Sequence, residues 1–180
     1  LLFIEAGFMS LCTLLSLYYK EPDLSAFIYS TLITIGAGIP FIYAGKGAGR
    51  KLNRRDGYII VTFAWIAISI FGMLPYYISG YIPSITNAFF ETMSGFTTTG
   101  ASILNNIESL PHALLFWRSL TQWIGGMGIV IFTIAILPIF GVGGIQLFAA
   151  EATGPKLDKV SPRISVTAKW IWTIYIGLTI

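Results

Sequence analysis

Four blocks of the chain, Leu1–Tyr19, Leu24–Ala44, Gly57–Ser79 and Pro111–Phe140, run almost without charge, and they limit what the sequence can become. A helix crossing a hydrocarbon core of ~30 Å needs about 20 apolar residues, and each block reaches or nearly reaches that length. A fifth apolar block begins near Ile164 and continues to the last residue. Composition agrees: 55% of residues are hydrophobic and 11% charged, with a mean hydropathy of +0.76. Soluble domains carry about 25% charged residues, so a water-soluble globule is excluded. The chain is predicted to be an all-α integral membrane protein.

Several function classes fall away with it. A single cysteine, Cys12, rules out a disulfide framework or a multi-cysteine metal site, and reads as a small apolar packing residue. A single histidine, His112, leaves little for acid–base chemistry and reads as interfacial. No nucleophile–base set or metal-ligand set is present, so an enzyme is not predicted, and no bound cofactor is expected. The net charge of +3 is small and the basic residues are clustered, which speaks to membrane topology rather than to nucleic acid.

The positive-inside rule orients the blocks. Lys46, Arg50, Lys51, Arg54 and Arg55 lie between the second and third, which predicts a cytoplasmic loop over 46–56. Lys156, Lys159, Arg163 and Lys169 follow the fourth block, on the same side, so 141–163 is expected to be a second cytoplasmic connection. From Asp56 to Trp117 there is no Lys or Arg, and Gly80–Leu110 is expected to face outward. Tyr18, Tyr19, Tyr76, Tyr77 and Tyr81 then fall at the outer interface as an aromatic belt. Leu1 opens directly on an apolar stretch with no basic leader. At the other end Trp170–Ile180 would rise about 16 Å, half a bilayer core. Both ends are expected to continue in a longer protein.

The outward segment is the most informative. Ser84 is a candidate N-cap for a helix over Ile85–Ser94, about 15 Å long, enough to reach mid-membrane but not to cross. Gly95 is expected to end it. Phe96-Thr97-Thr98-Thr99-Gly100-Ala101-Ser102 follows, then a polar return through Asn105, Asn106 and Glu108. Non-helical backbone at membrane depth needs protein or water around it. A run of β-branched Thr favours an extended chain that aims successive carbonyls at one axis, and Gly100 can take a positive φ. Carbonyl rings of that kind replace the hydration shell of a monovalent cation, and the negative end of a short helix favours a cation beneath. An extracellular loop with a Thr-rich turn fits the composition equally well, since Thr-Thr-Thr-Gly is a weak pattern by itself. Two charges, Glu91 and Arg118, would lie at hydrocarbon depth, and each is the other's most obvious partner.

Phe89-Phe90-Glu91-Thr92-Met93-Ser94-Gly95-Phe96-Thr97-Thr98-Thr99-Gly100-Ala101-Ser102 resembles the first pore loop of the Trk/Ktr/HKT potassium transporters. The likeness continues through Phe116-Trp117-Arg118-Ser119-Leu120-Thr121-Gln122-Trp123-Ile124-Gly125-Gly126-Met127-Gly128-Ile129, and on through Ala135–Pro138, Gly143–Leu147, Ala150-Glu151 and Pro162–Ile164. It is strong from about Arg54 onward, and the first two helices match only in placement. The resemblance implies a pseudo-fourfold pore of four covalently linked helix–pore loop–helix repeats, preceded in part of the family by two extra helices. Here 1–45 would be the extra pair, 57–140 the first repeat with its filter over 96–101, and 164–180 the start of the next. Potassium would meet the backbone of Thr97, Thr98, Thr99, Gly100 and Ala101, chiefly Thr98, Thr99 and Gly100, with Glu91 and Arg118 as support. The family further implies potassium uptake through a bacterial inner membrane, a homodimer, and a cytoplasmic nucleotide-binding ring subunit. Thr-Thr-Gly occurs once, so the remaining three repeats would lie elsewhere in the full protein. A tetramer of single repeats, or a secondary carrier with broken helices, remains an alternative. Gly125-Gly126-Met127-Gly128 inside an apolar span reads as close helix packing, with a hinge as the lesser option.

Overall fold

The computed structural model describes residues 1–45, 54–136 and 164–179, which are helical with short connections. In chain order the elements are α1 (Leu2–Tyr19), α2 (Leu24–Gly45), α3 (Arg54–Gly72), α4 (Leu74–Ile78), α5 (Ile85–Phe96), a 3-10 turn (Ile107–Ser109), α6 (His112–Ile136) and α7 (Ile164–Thr179). Among the described residues no strand occurs. Leu1–Gly125 is one compact unit, and Gly126–Ile180 falls in a second, described at the end of α6 and in α7. The expected connections at 46–53 and 137–163 lie outside the described residues.

The first unit is built inside out relative to a soluble protein. Leu14, Leu17, Leu32, Phe41 and Phe63 are all more than half exposed, while Ser16, Ser30, Thr34, Ser69, Thr92 and Thr121 are buried. A chain surrounded by hydrocarbon gains nothing by hiding leucines, but must satisfy each polar group internally. Several of its hydroxyls do so by bonding back along their own helices. Ser30 donates to the Ala26 carbonyl at 2.7 Å, Thr34 to that of Ser30 at 2.7 Å, and Thr92 to that of Ala88 at 2.9 Å. Among the described residues three helical stretches, Leu2–Tyr19, Leu24–Tyr43 and Ile59–Ile78, are long and apolar enough to cross a membrane.

The α1–α2 turn holds more than the polar linker the sequence suggests. Lys20 closes α1 in the left-handed region (φ 54°, ψ 44°), and the Glu21 amide reaches the Ser16 carbonyl at 3.1 Å. Asp23 then folds inward, accepting from the Ser16 hydroxyl at 2.5 Å, with only 1% of its surface exposed. Glu5, an apparent interruption of the first block, is buried in α1. Among the described residues neither of its carboxyl oxygens has a hydrogen-bond partner.

The third span differs from the continuous helix expected over Gly57–Ser79. It begins earlier, at Arg54, and breaks at Met73 before α4. Pro75 sits in the first turn of α4 and has no amide to give to the turn before it. Beside that break the Gly72 carbonyl accepts from the indole N–H of Trp117, at 2.9 Å, from a fully buried side chain. Gly72 also lets α3 close on α5: a Cβ there would stand 2.8 Å from both Thr92 Cγ2 and Phe96 Cε2. Trp117, Tyr76, Phe27, Phe96, Met9 and Leu114 form the centre of the core, and Phe96 meets Trp117 edge to face at 6.4 Å.

Candidate ion-coordinating loop

α5 is set by both its ends. Ser84, in extended conformation (φ −86°, ψ 121°), accepts from the Asn87 amide at 3.4 Å and caps the N-terminus. The C-terminus lies beyond the expected limit of Ser94. Gly95 does not end the helix but sits inside it, where α6 packs close: a Cβ on Gly95 would run into the Thr121 hydroxyl. Gly125 of α6 is closer still, since a Cβ there would fall on the backbone carbonyl of Phe96. The glycine run in α6 therefore contains at least one residue on which helix packing depends.

The threonine run is not extended, and this corrects the sequence reading. Thr97 is near-helical (φ −82°, ψ 2°), Thr98 is left-handed (φ 56°), and Gly100 is left-handed (φ 75°). The carbonyls at a helix C-terminus lack intrahelical partners, and here the following amides wind back to take them. Thr98 N–H donates to the Gly95 carbonyl at 2.9 Å, and those of Thr99 and Gly100 to the Ser94 carbonyl at 3.0 and 3.4 Å. β-branching stiffens a side chain, but it does not outweigh these bonds. A left-handed φ at a β-branched residue is rare and strained. At Thr98 the turn holds it, with the hydroxyl donating to the Thr97 carbonyl at 2.7 Å.

The winding sorts the five candidate ligands. The Thr97 carbonyl accepts from the Thr98 hydroxyl, and the Ala101 carbonyl accepts from the buried Ser94 hydroxyl at 2.6 Å. Among the described residues no hydrogen bond reaches the carbonyls of Thr98, Thr99 or Gly100, and all three residues are exposed. They lie off the C-terminal end of α5, where the helix carries partial negative charge. The loop can thus offer a row of open oxygens to a cation.

Glu91 anchors the return of the loop. Its Oε1 accepts from Arg118 Nε at 2.9 Å, and its Oε2 accepts from the Ile103 amide at 3.0 Å. The Ser102 hydroxyl lies 3.0 Å from both oxygens. The side chain of Glu91 is 1% exposed and that of Arg118 is 19%. One carboxylate therefore binds α5, α6 and the descending strand of the loop together.

A second glutamate also holds α6, and the sequence did not point to it. Glu21 Oε1 accepts from the His112 amide at 2.9 Å and lies 2.7 Å from His112 Nδ1, while Oε2 accepts from the Ala113 amide at 3.2 Å. Tyr19 stacks on the His112 ring at 4.3 Å. Burial pushes the Glu21 carboxyl up, but the His112 ring and the two amides together outweigh it and hold it below the ordinary value. The available signal was a missing one: Leu110-Pro111 can supply no side-chain cap to α6, which leaves its first amides to water or to a polar group from elsewhere.

The family described as TrkH, cation transport protein, matches this chain over residues 25–180. The Trk system potassium uptake protein TrkH of Salmonella typhimurium is 42% identical over 182 residues, covering 100% of this chain and 38% of that protein. The Trk system potassium uptake protein TrkI of Halomonas elongata is 38% identical, covering 98% of this chain and 36% of its own length. The crystal structure of the potassium transporter TrkH from Vibrio parahaemolyticus superposes with a TM-score of 0.80 at 34% identity, over 99% of this chain and 35% of that one. This chain therefore spans less than two fifths of the length of these relatives. Matched from residue 25 to its last residue in sequence, and almost throughout in fold, the chain belongs to the TrkH family of cation transport proteins, which are membrane proteins.

Proposed function

We propose that this chain carries one of four pore loops of a potassium-uptake protein, and that Thr98, Thr99 and Gly100 coordinate the ion through their carbonyls. The observation that supports this most is the set of three exposed residues whose carbonyls take no hydrogen bond among the described residues, off the end of a half-buried helix. Thr97 and Ala101 contribute less, since each already accepts one hydrogen bond, although a carbonyl keeps a second lone pair. Glu91 and Arg118 support the loop from behind. The names of the relatives agree with potassium as the transported ion. Residues 1–45 act as two leading helices, 57–140 as the first repeat, and 164–180 as the start of the second. The three other repeats, a homodimeric partner and a cytoplasmic nucleotide-binding ring subunit complete the system. The protein resides in a bacterial inner membrane, with the basic stretches at 46–56 and 141–163 in the cytoplasm and Gly80–Leu110 outside.

The test is Gly100→Ser in the full-length protein, read as rubidium and sodium uptake normalised to membrane abundance. A Cβ at Gly100 meets only Gln122 Nε2, at 3.9 Å, so there is room for it, but φ of 75° resists it. The loop must therefore rearrange where a carbonyl is aimed. The preference for rubidium over sodium should fall more than abundance does. An unchanged ratio would remove Gly100 from the filter.

A further inference from the structure

Ser94 departs from the back-bonding habit of its neighbouring threonines on this segment. Thr92 and Thr97, five residues apart on the same segment, donate back to the carbonyls of Ala88 and Met93 at 2.9 and 2.8 Å. Ser94, only 6% exposed, instead donates forward across seven residues to the Ala101 carbonyl at 2.6 Å. Its own carbonyl accepts from the Thr99 and Gly100 amides. One residue thus fixes the loop at three points: the amides of the two peptide units that carry the open carbonyls of Thr98 and Thr99, and the carbonyl that follows that of Gly100.

We propose that Ser94 is a positioning residue for ion selectivity, setting which carbonyls of this loop face the ion by holding that of Ala101 away. The inference rests on the reading of Thr98–Gly100 as ligands. Selectivity among monovalent cations depends on how many carbonyl dipoles surround the ion and how freely they adapt. The Ser94 hydroxyl limits both. While it donates to Ala101, that oxygen is engaged and the chain beyond Gly100 cannot swing. Without it, Ala101 regains an open carbonyl, and the stretch through the left-handed Gly100 is held only by the backbone bonds before it and by the Glu91 contacts to Ser102 and Ile103 after it. A loop that can contract suits the smaller sodium ion better than a fixed one.

The experiment uses the full-length protein in liposomes, with rubidium and sodium uptake measured for Ser94→Ala, Ser94→Thr and Gly100→Ser beside wild type. Ser94→Ala keeps every backbone bond and removes only the hydroxyl. Its rubidium-to-sodium ratio should fall about fivefold, the scale of one lost hydrogen bond, and Ser94→Thr should restore most of it. If Gly100→Ser changes the ratio and Ser94→Ala does not, the role given to Ser94 is wrong while the filter reading stands. If neither changes it, the filter reading fails and the role of Ser94 fails with it. Should Ser94→Ala not reach the membrane, Ser94→Cys, whose thiol is a weak donor, takes its place. Loss of that protein too would make Ser94 merely structural and overturn the inference.

Discussion

Glu91 and Glu21 both hold α6, one within the span and the other at its first turn, and the two contacts are built differently. Glu91 is sealed, and its donors come from α6 and from the loop: Arg118 on the one, Ser102 and the Ile103 amide on the other. Glu21 works at an edge where the His112 side chain is 63% exposed, and its donors are the free amides of a helix start. The same carboxylate chemistry serves two purposes. At the edge it satisfies amides that water could also satisfy. In the interior nothing replaces it, and removing either member of the pair leaves a charge stranded.

Breaking the interior pair should therefore have the largest effect. Glu91→Ala or Arg118→Ala in the full-length protein is expected to cost about 3–5 kcal/mol, the usual consequence of a buried charge losing its partner. It would be read as thermal stability in detergent and as membrane abundance. Glu91→Gln with Arg118→Gln should cost less than the two single changes added together. Additive effects would mean that the 2.9 Å contact carries no coupling, and the contrast with Glu21 would collapse.

A test of packing without charge sits between the two glutamates. Gly125→Ala places a Cβ on the Phe96 carbonyl, backbone against backbone, with no flexible side chain to give way. Overpacking of this kind costs about 1–3 kcal/mol. Gly80→Ala, with nothing within 4 Å of its Cβ site, is the comparison for a glycine fixed by φ alone. If Gly125→Ala left stability and uptake unchanged, α6 would not be seated against the end of α5 as described.

These residues also mark what the sequence could and could not disclose. The helices were legible because membrane length and charge exclusion act on whole blocks, and the Ser84 cap because its signal is local. The break at Met73 was foreshadowed by Pro75 but hidden by uninterrupted apolarity across Gly57–Ser79. Glu91 and Arg118 stood out because charges at depth are few. The path of Thr97–Thr99 was misjudged: propensity favoured extension, and the bonds that override it come from Gly95 and Ser94, whose carbonyl directions no composition encodes. Ser94 itself was invisible, since a serine in a helix ordinarily bonds back one turn. Glu21 and His112 are 91 residues apart, and only the fold brings them together.

The smallest expected effect is at that edge. Glu21→Gln keeps a side-chain oxygen for one amide but loses the charge shared by His112 and Ala113, and at pH 7 it should cost about 1 kcal/mol, the size of a helix cap. The change also relieves Asp23, whose carboxyl is raised by burial, against the Ser16 bond, and further by the charge of Glu21. That relief trims the cost. The pH dependence follows from the direction at Glu21. Its carboxyl is held below the ordinary 4.5, so its charge contributes stability above about pH 4.5, and the contribution is lost as pH falls through the lowered folded-state value. Melting of wild type and Glu21→Gln in detergent should therefore differ at pH 7 and converge in acid. For Glu91→Gln the gap at pH 7 should be the larger of the two. A gap for Glu21→Gln that persisted undiminished at pH 3 would mean that its contact works by shape rather than charge.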